Sequence, residues 1–128
     1  MKRARLDWTD LRQKLWARSG GRCEVSGLPL DPLSWDAHHR RNKGMGGTYR
    51  EDTDTLPNLL IVHPLVHNHR PDSIHGNPAW SRPLGYLLGK GLDELPPAVV
   101  PVKLHTGVWV VLTANGGYLP CPPSVLLP

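Results

Sequence analysis

The chain has 128 residues, 39% hydrophobic and 20% charged, with a formal net charge of +4 at pH 7. This is the size and composition of one globular domain, and it excludes disorder by charge excess and a coiled-coil rod. No apolar run approaches the roughly 20 residues of a membrane helix, and no signal-peptide core follows Lys2, Arg3 and Arg5, so the expectation is a soluble, unexported, cytoplasmic protein.

Residues 9–19 (TDLRQKLWARS) predict an amphipathic helix, with Thr9 as N-cap, Leu11, Leu15 and Trp16 on the core face, and Gly20-Gly21 as the stop. Residues 22–30 read as a short strand or turn around Gly27 and Pro29. Trp35 to Arg40 predicts a short strand, and Leu56 to Val62 a second one. Between them runs RNKGMGGTYREDTD, polar and glycine-rich, so the pair reads as an antiparallel hairpin with a long, functional connection. Residues 78–88 predict a short helix starting at Pro78 and perturbed by Pro83, with Trp80 and Tyr86 in the core. Residues 93–98 read as a linker, 99–113 as a hairpin turning near His105-Thr106-Gly107, and Asn115-Gly116-Gly117 as a further turn before a Pro-rich end. The expected organisation is a domain over residues 1–92, with a C-terminal hairpin and tail, residues 93–128, packed on it.

Charge is uneven. Residues 1–50 carry 11 Lys/Arg against 5 Asp/Glu, and residues 51–128 carry 4 against 6. With a pI near 9.4, the basic front half points to a polyanionic partner, most simply nucleic acid. Cys23 and Cys121 form no CxxC pair, and without a secretory signal they read as reduced thiols, with a single disulfide as the alternative.

Seven His beside two Cys is the compositional oddity. Three segments gather them: His38-His39 at the end of the first strand, Asn58 at the second, and His67 with His75 beyond. At a strand end one adjacent His can bind a metal while the other stays free as a base. The Asn58 amide, on the partner strand, could then hold an imidazole N–H and fix its tautomer.

The text AHHRRNKGMGG, then LPNLLIVHPLVHN, then SIHGNPAWSRPLGYLL resembles the HNH endonucleases, whose core is the ββα-metal fold. LRQKLWARSGGRCEVSG is similar to the helix and first knuckle that precede many HNH motifs, and the likeness covers roughly residues 10–90. Its closest flavour is the small HNH endonucleases of tailed phages, often encoded next to DNA-packaging genes. The resemblance implies an α+β protein with a ββα-metal core, an N-terminal helix and an additional C-terminal hairpin. It implies His38, His67 and His75 as metal ligands, His39 as general base and Asn58 as the middle residue of the motif. The gap between His67 and His75 is eight residues where relatives have four, so His63 or His69 are alternatives for the third ligand. Cys23 and His63 are what remains of two zinc knuckles, so no structural zinc is expected, and a packed apolar contact should replace it.

Phosphodiester hydrolysis needs an activated water, charge neutralisation at phosphorus and a stabilised leaving alkoxide. A neutral imidazole, with an ordinary pKa near 6.5, can take a proton from water. One divalent ion suffices in this family, and imidazole ligands suit Mn, Ni, Co or Zn, with Mg retained if waters complete its shell. Arg40, Arg41 and Lys43 follow the His pair and are expected to hold flanking phosphates. The expected partner is DNA, nicked or cut through both strands. A single site cuts one strand per engagement, so monomer and dimer both remain open. A phage origin would place the protein in the host cytoplasm, near the terminase. The alternatives are a non-catalytic metal- and DNA-binding module and a histidine-rich metal scaffold.

Overall fold

The computed structural model describes residues 8–42, 53–68, 70–89 and 95–121. Lys43, the GMGG segment, His69 and the Pro-rich end after Cys121 lie outside the described residues. The described part holds three helices and two small antiparallel sheets, an α+β arrangement.

Helix α1 spans Trp8–Ser19. Leu15 is fully buried, and Leu11 and Trp16 pack partly against the core. Asp10 in the first turn and Arg18 in the last suit the helix dipole, and Lys14 pairs with Asp10 at 3.0 Å one turn apart. Trp8 is already helical, so Thr9 lies inside the helix and is not its cap. The stop falls where the sequence put it. Gly20 and Gly21 take φ of 65° and 77°, the left-handed region, and the Gly21 N–H returns to the Trp16 carbonyl at 3.2 Å.

Strand β1 (Asp36–His39) pairs antiparallel with β2 (Leu59–Val62) in the register Asp36↔Val62 to His39↔Leu59. A 3-10 turn, Leu56–Asn58, leads into β2. All four β2 side chains are buried, and α1 packs against this strand. A fully buried strand reads as a continuous apolar run, and each such side chain contributes about 1.5–3 kcal/mol of burial. Helix α2 (Pro64–His67) follows at once, with Pro64 in its first turn and the His63 Nδ1 accepting from the Leu65 N–H at 3.2 Å.

The helix expected over 78–88 is shorter. Helix α3 covers only Pro78–Ser81, capped by Asn77. Pro83 has no N–H to continue the ladder, and Gly85 (φ 85°) turns the chain so tightly that an added Cβ would lie 2.2 Å from the Pro101 carbonyl oxygen. Tyr86 is buried, whereas Trp80 packs against it at a ring separation of 5.4 Å while staying 38% exposed.

The expected C-terminal hairpin forms from β3 (Val102–Lys103) and β4 (Trp109–Leu112), and β5 (Tyr118–Pro120) adds a third strand beyond the Asn115-Gly116-Gly117 turn. β4 alternates half-buried and buried side chains, and it packs against the 3-10 turns at Leu56–Asn58 and Pro97–Val99. Val102, Val110 and Leu112 share one core with Leu15, Cys23, Leu59 and Leu60.

Charge is built into this core at two places. Glu24 is 2% exposed and receives Arg18 through both carboxylate oxygens at 2.9 and 2.8 Å, the Ile61 N–H at 2.9 Å and the Tyr118 hydroxyl at 2.6 Å. Burial, then the Glu24 carboxylate, pushes the Tyr118 hydroxyl well above its usual range. At the expected decayed knuckle Cys23 sits in the apolar core with Val25 against it, and beside them a buried ion pair ties α1, the turn and β5 together.

The second is Arg40, fully buried. Its Nε donates to the Gly85 carbonyl at 2.8 Å, Nη1 to those of Pro57 and Pro97 at 2.9 and 3.0 Å, and Nη2 to that of Val100 at 2.8 Å. Proline supplies a carbonyl without an N–H, so proline-rich segments carry a surplus of acceptors. Arginine carries five donors and no acceptor, and Arg40 absorbs that surplus where three segments meet. Burial, then repulsion from Arg18, lowers its pKa to about 9, still above neutrality. Arg41 is also buried, and donates to the carbonyls of Gly89 and Leu95. The expectation that Arg40 and Arg41 hold phosphates is therefore corrected: both guanidinium groups face inward and are held by backbone carbonyls.

Among the described residues, no helix is long and apolar enough to cross a membrane.

Candidate metal centre and the adjacent histidine

Successive side chains leave a strand on opposite faces, and β1 stays regular through His39. His38 and His39 accordingly have separate neighbours. His38 points into the molecule, 1% exposed, with its ring 5.0 Å from those of both His67 and His75. His39 meets Asp54 and the edge of Trp8.

The buried ring has one determined tautomer. His38 Nε2 lies 2.6 Å from the Tyr86 carbonyl, which only accepts, so Nε2 carries the hydrogen. Nδ1 therefore holds a lone pair. It is buried and has no hydrogen-bond partner among the described residues. Burial, with repulsion from His67, His75 and His39 outweighing the help of the Tyr86 carbonyl, lowers the His38 pKa to about 3. The ring is neutral at any ordinary pH, which is the form that ligates a metal.

His67 closes α2. Its Nδ1 lies 2.9 Å from the Asp36 carboxylate, so Nδ1 carries the hydrogen and Nε2 the lone pair. Asn68 Nδ2 lies 3.2 Å from the same nitrogen, and with the Nδ1 hydrogen directed at Asp36 it adds no hydrogen bond to the ring. His75 lies eight residues beyond His67, past the end of α2. The Ile74 N–H bonds the Val66 carbonyl at 2.7 Å and the His75 N–H that of His67 at 3.3 Å, so this part of the chain folds back along α2. This brings His75 Nε2 to 3.2 Å from His67 Nε2. Burial, then His67, lowers the His75 pKa.

One ligand nitrogen from each of His38, His67 and His75 lies within 4.8 Å of the other two, so the three could hold a metal ion. The donor set fits. Two nitrogens at about 2.0–2.1 Å from a tetrahedral ion stand about 3.3–3.4 Å apart, close to the 3.2 Å between His67 and His75. Neutral imidazoles suit Zn, Ni, Co and Mn better than Mg. Asp36 on His67 and the Tyr86 carbonyl on His38 are the outer contacts that orient such ligands. His63 is used instead to cap α2.

Among the described residues, the Asn58 side chain makes no hydrogen bond to His39. Its Oδ1 accepts from the Arg41 N–H at 2.9 Å, and its Nδ2 donates to the Arg41 and Thr53 carbonyls at 3.1 and 2.8 Å. It is fully buried and closes the base of the β1–β2 connection. The group on the His39 ring is Asp54, whose Oδ1 lies 2.8 Å from Nε2. Both side chains remain partly open, 21% and 32% exposed.

Sequence reasoning missed Asp36, Asp54 and the Arg18–Glu24 pair. Asp36 had a usable signal, since it stands two residues before His38 and so on the same face of β1. Asp54 had none beyond its place in a polar loop.

Comparison of the chain with protein-family models, with curated proteins and with solved structures finds no match.

Proposed function

We propose that this chain is a metal-dependent HNH endonuclease of the ββα-metal type that hydrolyses DNA phosphodiester bonds. The observation that carries the reading is the buried, unpartnered Nδ1 of His38, set against His67 and His75, with a second, accessible His one residue away. The order β1, β2, α2 with ligands on β1 and α2 supports the ββα-metal core. With the inward-facing Arg18, Arg40 and Arg41 and the buried Glu24 set aside, residues 1–50 still carry eight Lys/Arg against four Asp/Glu, which supports a polyanionic substrate.

His38, His67 and His75 would hold one divalent cation. When bound, it supplies charge neutralisation at the scissile phosphate and stabilises the leaving 3′ oxygen. His39 takes the proton from the attacking water. The buried His38, kept neutral by its surroundings, does not compete for that proton. By the family resemblance, the chain would be phage-encoded and act near the terminase that packages DNA.

The test is nicking of a supercoiled plasmid in Mn²⁺, Mg²⁺, Ni²⁺, Co²⁺ and Zn²⁺. The wild-type chain nicks in at least one of them, and His39→Ala loses about 100-fold or more in rate while keeping its metal affinity. Cleavage by His39→Ala at the parental rate removes the base from the account. DNA retention without cleavage in every metal favours the non-catalytic binding module.

A further inference from the structure

We infer that Asp54 is the positioning residue for His39, and that Asn58 acts on the base only through it. The inference rests on the nuclease reading for its catalytic consequence, and on geometry alone for the His39 tautomer.

Asp54 is bracketed. The Asn58 side chain donates to the carbonyl of Thr53, and the Asn58 backbone N–H donates to that of Thr55, at 2.8 and 2.9 Å. One buried residue thus fixes the backbone on both sides of Asp54. The same amide grips the backbone of Arg41, two residues after His39. The Asn58 carbonyl also takes the Arg40 N–H at 2.8 Å. Asn58 therefore sets the distance between the strand that carries His39 and the segment that carries Asp54.

The consequence is chemical. A carboxylate only accepts, so the 2.8 Å contact places the hydrogen of His39 on Nε2. Nδ1 is left with the lone pair, and Nδ1 is the nitrogen that takes the proton from water. As that proton arrives, the ring becomes cationic with Asp54 against its far side. An ordinary exposed ion pair contributes little. This one is held on both sides by a buried residue, so its geometry does not depend on two loose side chains finding each other.

The first test needs no variant. Long-range ¹⁵N–¹H NMR of His-labelled, metal-free wild-type protein at a pH where His39 is neutral should show the Nε2–H tautomer for His39. An Nδ1–H tautomer overturns the inference whether or not the chain cuts DNA. The second is Asp54→Ala. Its kcat for plasmid nicking should fall about 10-fold or more, because the ring loses its fixed orientation and the carboxylate set against the forming imidazolium along with its tautomer bias. Its KM for DNA and its metal affinity should stay within about twofold. The His39 resonances should move to a mixture of tautomers. A kcat within twofold of wild type, a tautomer unchanged in Asp54→Ala, or a matching loss of metal affinity each overturns the positioning role. If the wild-type chain cuts no DNA while His39 is the Nε2–H form held by Asp54, the nuclease reading has failed and the Asp54–His39 geometry stands.

Discussion

Replacing Arg40 by alanine should be among the most destabilising single changes in the chain, and it should do little to DNA contact as such. Four backbone carbonyls, those of Gly85, Pro57, Pro97 and Val100, receive hydrogen bonds of 2.8 to 3.0 Å from its guanidinium. An unsatisfied buried acceptor costs about 1–3 kcal/mol. Water entering the vacated space relieves part of that, and removing a buried cation also removes its desolvation penalty. Taking the low end for all four gives about 4 kcal/mol, a large share of the roughly 5–15 kcal/mol that holds a typical domain together. With a urea slope of about 1.5 kcal/mol per molar, the midpoint should drop by about 2–3 M. Urea unfolding followed by tryptophan fluorescence measures this directly. Arg40→Lys should recover only part of the loss, since an ammonium cannot span carbonyls spread around a planar fork. The reasoning is refuted if Arg40→Ala unfolds within 0.5 M of wild type while its DNA affinity falls and its salt dependence loses about one phosphate contact.

Other outcomes follow from the same structure. Asp36→Ala should lower metal affinity about 10- to 100-fold by releasing the His67 ring, read by calorimetric titration; His63→Ala should leave that affinity unchanged and cost about 1 kcal/mol of stability through the lost cap. Glu24→Ala should destabilise by about 3–5 kcal/mol, because it leaves Arg18 buried without its counter-charge; a thermal melt checks it. The metal-free protein should weaken in mild acid. His38 has a folded pKa of about 3 against 6.5 when unfolded, so between these values the unfolded chain binds the extra proton. Stability is therefore full above pH 6.5 and falls with acidification at about 1.4 kcal/mol per pH unit, or about 2 kcal/mol by pH 5. Urea midpoints from pH 7 to 5 should show that slope, flattened in His38→Gln.

Much of the architecture was legible because it is written in local pattern. The Gly20-Gly21 stop, the apolar run that becomes β2 and the turn between β3 and β4 each announce themselves within a few residues. The three His that converge were singled out through the family resemblance, with His63 or His69 as alternatives for the third. What was not legible depends on partners distant in sequence. The polar run after His39 reads as solvent-facing, yet Arg40 is drawn inward by carbonyls 17 to 60 residues away. The same holds for Glu24, whose partners include Tyr118, 94 residues away. Asn58 was expected to reach an imidazole from the partner strand, but register decides what an amide reaches. At the foot of β2 it meets backbone, and the carboxylate four residues earlier meets the ring.

The central claim, a three-histidine metal centre, is tested most directly by a crystal structure of the protein soaked in Mn²⁺, with anomalous diffraction recorded at a wavelength where manganese scatters. The account predicts one anomalous peak, about 2.0–2.3 Å from His38 Nδ1, His67 Nε2 and His75 Nε2, with remaining positions open. A peak that excludes His38 Nδ1, or that engages His63 or His69 in place of His75, would contradict it.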